Sequence, residues 1–135
     1  MAAGFEGPND EFLKAHKAYL KGGYREAIRE ALTALESTLK TIVVRRKWPF
    51  DANKDTATKL LAIAFDKGLV PAYLQSEFAA LRTTLEAGVP TLRNRTAGHG
   101  QGPDPIEIPQ HLAAYALHMS AAAIIFLVAA DQKLK

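Results

Sequence analysis

Tyr24-Arg-Glu-Ala-Ile-Arg-Glu-Ala-Leu-Thr-Ala-Leu-Glu-Ser-Thr-Leu-Lys-Thr-Ile-Val-Val-Arg-Arg-Lys47 carries the strongest periodic signal in the chain. Tyr24, Ile28, Ala31, Leu32, Leu35, Leu39, Ile42 and Val43 recur at steps of three and four. On a helix of 3.6 residues per turn this gathers them into one broad apolar face, so the stretch reads as a long helix that builds a core. Upstream, Asn9 or Asp10 can cap a shorter helix from about Asp10 to Lys21. Phe12, Ala15, Tyr19 and Leu20 form its apolar side, Gly22-Gly23 ends it, and residues 1–8 read as a flexible leader. The turn from Leu20 to Ile28 resembles one hairpin of a tetratricopeptide repeat, but no second copy follows, which leaves a plain antiparallel helical hairpin.

Downstream, Trp48-Pro49-Phe50 stops the long helix. A third helix, capped by Asp55 or Thr56, carries Leu60, Leu61, Ile63, Ala64 and Phe65 and stops at Gly68. A fourth runs from about Ala72 to Ala87 with Leu74, Phe78, Leu81 and Leu85 on one side. Thr91 to Ala97 reads as a short helix or a kinked continuation. Gly98, Gly100, Gly102, Pro103 and Pro105 then form a loop to Pro109. In the final helix, to about Lys133, the expected core stripe is Leu112, Tyr115, Met119, Ala122, Phe126 and Ala129, widened by Ala116, Ala123 and Leu127. No stretch alternates with a period of two, so strands have no home. The fold class is all-α: an up-and-down bundle of about five helices, with the second and last supplying most of the core.

The chain of 135 residues is 48% apolar and 23% charged, values of a single globular domain spanning 1–135. A net charge of +3 and a pI near 9.2 permit an anionic partner such as RNA without requiring one. There is no cysteine, which excludes disulfides, cysteine-based zinc sites and cysteine nucleophiles and agrees with a reducing, cytoplasmic setting. The N-terminus lacks the basic and apolar regions of a signal peptide. Leu112 to Ala130 is long enough to span a bilayer, but it is mostly alanine, carries His118 and Ser120, and has no aromatic belt. It reads as a buried helix, and no membrane partner is expected.

Chemistry concentrates in Thr91-Leu-Arg-Asn-Arg-Thr-Ala-Gly-His-Gly-Gln-Gly102. Arg93 offers a planar, permanently charged fork for phosphate oxygens, and His99 titrates near neutrality and can move a proton. Asn94 projects beside Arg93. Together they meet the needs of RNA cleavage by the ribose 2′-hydroxyl, which requires one group to carry a proton and another to hold the charge building on phosphorus. The spacing alone is also that of many ordinary loops. Gly98-His-Gly-Gln-Gly102 follows no strand and lacks the Gly-Lys-Ser/Thr ending of a phosphate loop. His111 and His118 share a face of the last helix without a third ligand, so neither metal nor cofactor is expected.

At these residues the chain resembles HEPN domains, helical bundles marked by Arg, a polar residue, a short spacer and His. In particular it resembles the abortive-infection C-terminal subfamily, whose members read much like Leu-Arg-Asn-Lys followed by Gly-His-Gly. Ala34-Leu35-Glu36-Ser37-Thr38-Leu39-Lys40 resembles the Glu-x3-Lys feature of the family's long early helix. Gly68-Leu69-Val70-Pro71 and the alanine-rich last helix also fit, and the similarity covers roughly 23–130. The resemblance implies a metal-independent ribonuclease pair, Arg93 and His99, assisted by Asn94, with Glu36 and Lys40 as a charged support. Independently, Glu36 and Lys40 lie four apart in the favourable order; their plain alternative is a solvated pair worth roughly a few tenths of a kcal/mol. The resemblance further implies a homodimer with a shared RNA groove, in a prokaryotic defence or toxin–antitoxin setting with an antitoxin or a larger defence protein as further partner. Arg95 and the cluster Arg45, Arg46 and Lys47 can supply charge for the RNA backbone, although the cluster equally suits a helix C-terminus. The alternative function is a catalytically silent module that binds nucleotide or RNA or mediates assembly.

Overall fold

The computed structural model describes residues 4–51, 53, 56–87 and 108–134. Five α-helices occur among the described residues: α1 (Glu6–Leu20), α2 (Tyr24–Arg45), α3 (Ala57–Asp66), α4 (Gln75–Ala87) and α5 (Gln110–Lys133). A 3-10 turn, Ala72–Leu74, leads into α4, and no strand occurs among these residues. The all-α expectation holds.

α2 packs against all four other helices, most extensively against α1 and α5. Its buried residues, Ala27, Ile28, Ala31, Ala34, Leu35, Thr38, Leu39, Ile42 and Val43, are the sequence stripe with Ala27, Ala34 and Thr38 added, while Tyr24 and Leu32 of that stripe are only partly buried. Burial of Leu35, Leu39 and Ile42, each at most 1% exposed, contributes about 1.5–3 kcal/mol apiece. Two polar side chains lie fully inside. Thr38 donates to its own helix at Ala34 O (2.8 Å), and Ser120 does the same at Ala116 O (2.7 Å). Each hydroxyl is satisfied without a partner from another helix.

Three helices end alike. After α1, Gly22 N–H donates to Tyr19 O and Gly23 N–H to Ala18 O; after α3, Gly68 and Leu69 repeat the pattern to Phe65 O and Ala64 O. This paired closure needs a left-handed residue, supplied by Gly22 (φ 83°) and Gly68 (φ 77°). After α2 the same pattern runs from Lys47 to Val44 O and from Trp48 to Val43 O, with Lys47 at φ 58°.

The directions of the helices follow from their end contacts. Arg46, just past α2, donates to Asp131 and to Leu134 O at the end of α5, so α2 and α5 run parallel. Gln110 Nε2 donates to Tyr19 Oη (3.3 Å), bringing the start of α5 to the end of α1. α4 runs the other way, with Phe78 packed on Phe126 (centroids 5.7 Å) near its start and Glu86 facing the middle of α2 at its end.

Three expectations are corrected. α1 begins at Glu6 rather than Asp10, and Phe5, assigned to a flexible leader, is 1% exposed beneath the Arg45 guanidinium. Pro8 is accommodated because the first turn of a helix has no intrahelical use for its N–H groups. Leu20 is 69% exposed rather than core. The third correction concerns α5, whose buried side is Ala113, Ala116, Leu117, Ser120, Ala123, Ile124, Leu127 and Asp131. Tyr115, Met119, Ala122 and Ala129, expected inside, are exposed. From Gln110 to Ala130 the helix has no Asp, Glu, Lys or Arg; being apolar all round, its periodicity does not select a face. By length and composition it is also apolar enough to cross a membrane; in the bundle it packs on α2, α4 and α1.

Candidate functional site

Arg93, Asn94, Arg95 and His99 lie outside the described residues, as does the short helix expected over Thr91 to Ala97. The residues on either side of that segment are described. α4 leads into it at Ala87, and the chain re-emerges through Ile108, 9% exposed, and Pro109 into α5.

Near the end of α4, Glu36 of α2 feels the charges of carboxylates on two other helices. Glu36 of α2 is half-buried, and its carboxyl pKa is raised above 4.5, first by burial, then by the nearby charge of Glu86 on α4 and, more weakly, of Glu11 on α1. Lys40, one turn further along α2, opposes the rise. Its ammonium is directed over the ring of Phe50, 5.9 Å from the centroid. Lys40 thus senses Glu36 through space while resting on an aromatic face. Ser37 Oγ lies 2.8 Å from both carboxylate oxygens of Glu11, sharing its single proton between them. Glu86 accepts from Arg82 one turn earlier on α4, at 2.5 Å.

Glu36 and Lys40 therefore stand on the side of α2 that α4 approaches. Glu11 and Glu86 join them from elements far away in sequence, which is why spacing did not reveal them. The available signals were indirect: Arg82 and Glu86 are four apart, and Ser37 follows Glu36. Chemically the cluster is an acceptor-rich patch suited to a guanidinium or ammonium group, and Glu36 in particular holds its proton more tightly than a free carboxyl does. No group of three or more His, Cys, Asp or Glu side chains suited to a metal ion occurs among the described residues.

Of the cations expected to meet RNA, Arg45, Arg46 and Lys47 lie elsewhere, at the end of α2. Arg45 is nine residues beyond Glu36 along α2, about 14 Å at 1.5 Å per residue. Arg46 is committed to the fold. Its Nε and one terminal nitrogen reach Asp131 Oδ1 and Asp131 O, both at 2.5 Å, the second nitrogen also reaches Leu134 O at 2.9 Å, and its guanidinium lies over Trp48. Arg45 lies over Phe5 and 4.0 Å from Asp131 Oδ2, with half its side chain in solvent. Lys47 is exposed. Asp131, the acid that anchors this end, was missed, although its place after 21 charge-free residues marks it. A shallow cleft of about 440 Å³ at the same end is lined by Gly68, Leu69, Pro71, Phe126, Ala129 and Lys133 among others, and Lys133 is its single ionisable group.

A family model described as a HEPN-like domain, Abi_C, matches residues 6–131 of the chain. No curated protein and no solved structure matches it.

Proposed function

We propose, on the premise that this chain belongs to the Abi_C family of HEPN-like domains, that it is a metal-independent endoribonuclease of prokaryotic defence. The observation that carries the reading is the stretch Arg93-Asn94-Arg95 followed by His99, in a chain matched to the family over nearly its whole length. In the proposed reaction the ribose 2′-oxygen attacks phosphorus as its proton leaves, and the bond to the 5′-oxygen breaks as that oxygen gains a proton. His99 moves one of these protons as base or acid, Arg93 holds the charge on the phosphorane-like transition state, and Asn94 orients the pair. The products are a 2′,3′-cyclic phosphate and a 5′-hydroxyl. Glu36 and Lys40 form the charged support behind the pair, and Arg95, Arg45 and Lys47 steer the RNA backbone. The chain works as a cytoplasmic homodimer, restrained by an antitoxin or by a larger defence protein.

The mutual charges of Glu11, Glu36 and Glu86 favour a second reading. With Glu86 already bound to Arg82 and Lys40 set against Glu36, these carboxylates leave little net positive charge there to hold a polyanion, as suits a silent module that mediates assembly. Incubating single-stranded RNA with wild type, Arg93→Ala and His99→Ala in EDTA separates the two. The expected result is fragments ending in cyclic phosphate from wild type, with the rate reduced about 100-fold or more by either substitution. Cleavage that survives both substitutions, or that stops with the chelator, refutes the mechanism. A wild type that leaves RNA intact supports the silent module.

A further inference from the structure

The outer side of α1 carries cations without acids. Between Glu11 and Glu26 the chain has Lys14, Lys17, Lys21 and Arg25 and no Asp or Glu. The three lysines are exposed, and so are Leu13, at 49%, and Leu20, at 69%. At 100° per residue Leu13, Lys14, Lys17, Leu20 and Lys21 fall within about 120° of arc, over the last two turns of α1 and its cap. The opposite side of the helix serves the fold: Ala15 and Ala18 are buried, and Phe12 and Tyr19 pack on the core. None of the three lysines makes an ion pair with a described acid. Glu6 and Asp10 are exposed on the same side but earlier, which confines the patch to the half of α1 nearest the Gly22-Gly23 turn.

We infer that this patch docks the protein on the surface of an anionic lipid bilayer. Its occupant has to answer two chemistries at once. Three ammonium groups call for a layer of phosphates, and the leucines set among them call for hydrocarbon just beneath it. A leaflet rich in anionic lipid offers the two layers in that order. Lysine stems lie beside the leucines while their charges reach the headgroups. A nucleic acid answers the lysines and leaves both leucines in water. A partner helix answers both, but Leu13 and Leu20 span only about 10 Å, well short of the three or four heptads that sustain a helix pair. A leaflet needs no matching length, because each side chain enters it independently. Each lysine near such a surface raises affinity about fivefold, and each shallowly inserted leucine about tenfold. Together these factors reach about ten-thousandfold, the range of a single acyl chain, whose attachment is reversible. No segment crosses the bilayer in this arrangement; α1 lies along its surface.

This inference is independent of the ribonuclease reading, and its test uses no RNA. The full chain is floated with vesicles of phosphatidylglycerol and phosphatidylcholine in equal parts, and with vesicles of phosphatidylcholine alone. Flotation is expected with the first and not with the second, and added salt is expected to weaken it. Lys14→Gln, Lys17→Gln and Lys21→Gln combined are expected to lower affinity about a hundredfold, and Leu13→Gln with Leu20→Gln by a similar factor. The replaced side chains are exposed, so the helical circular dichroism of both variants is expected to match wild type. Lys59→Gln with Lys67→Gln, exposed on α3 and at its cap, is expected to bind like wild type. A wild type that does not float with the anionic vesicles overturns the inference, as does a lysine variant that floats as well as wild type. A leucine variant of unchanged affinity overturns it too and assigns the lysines to a polyanion backbone. Equal loss in the α3 variant reduces the attachment to diffuse charge, and equal flotation with phosphatidylcholine alone assigns it to an uncharged apolar surface such as the open side of α5; either result overturns the patch.

Discussion

Glu36 illustrates what a single side chain contributes when three helices press charges together. Burial, Glu86 and Glu11 all raise its pKa and Lys40 resists, so the folded chain binds this proton more tightly than the unfolded chain does. Between the unfolded value near 4.5 and the raised folded value, folding takes up a proton, and stability falls as pH increases. Above that window the ionised carboxylate is a burden on the fold. Glu36→Gln is accordingly expected to melt a few degrees higher than wild type at pH 7, with the gain shrinking to nothing at pH 4. Thermal melts of both proteins at the two pH values measure it. A variant that melts lower at pH 7 would mean that a favourable cation holds the carboxylate. The Glu36–Lys40 spacing was legible in the sequence because it is local to one helix. Glu11 and Glu86 were not, because only the packing of α1 and α4 onto α2 brings them there.

Helix ends show the same division between local and tertiary information. Gly22 and Gly68 announced their helix stops because glycine accepts a left-handed backbone at little cost. Lys47 performs the same task at φ 58° with a Cβ, so α2 was expected to run to Lys47 and instead ends at Arg45. The left-handed conformation costs such a residue about 1–2 kcal/mol, partly offset by the greater unfolded entropy of a glycine. Lys47→Gly is expected to stabilise the chain by about 0.5–1 kcal/mol, read from the midpoint of urea unfolding. Unchanged or lower stability would mean that the lysine side chain supplies a compensating contact. At α5 the sequence pointed to the wrong face. Its helical nature was plain, but a helix without a single fixed charge over 21 residues offers no polar side to set against an apolar one, and the choice of face fell to volume and to the buried Asp131.

At the scale of the molecule, the sequence foretold the class of fold and the large share of the core supplied by the second and last helices, which carry more buried residues than the other helices do. It did not foretell how the bundle is locked. Arg46, expected to face RNA, instead joins the ends of α2 and α5 through Asp131 and Leu134. Asp131→Ala leaves a largely covered guanidinium without its carboxylate. Because the Arg46 side chain is still 23% exposed, the cost is about 2 kcal/mol, below that of a fully buried pair. The melting temperature is expected to fall by roughly 5–10 °C, with Asp131→Asn in between; a shift under one degree would show that the clamp is incidental. The order of helices also imposes a delay in time. α2 is complete at Arg45, and the helix that closes over it starts at Gln110, 65 residues later. At 5–20 residues per second, a ribosome takes about 3–13 s to reach it. For that interval the side of α2 that α5 covers in the finished bundle has no partner from that helix.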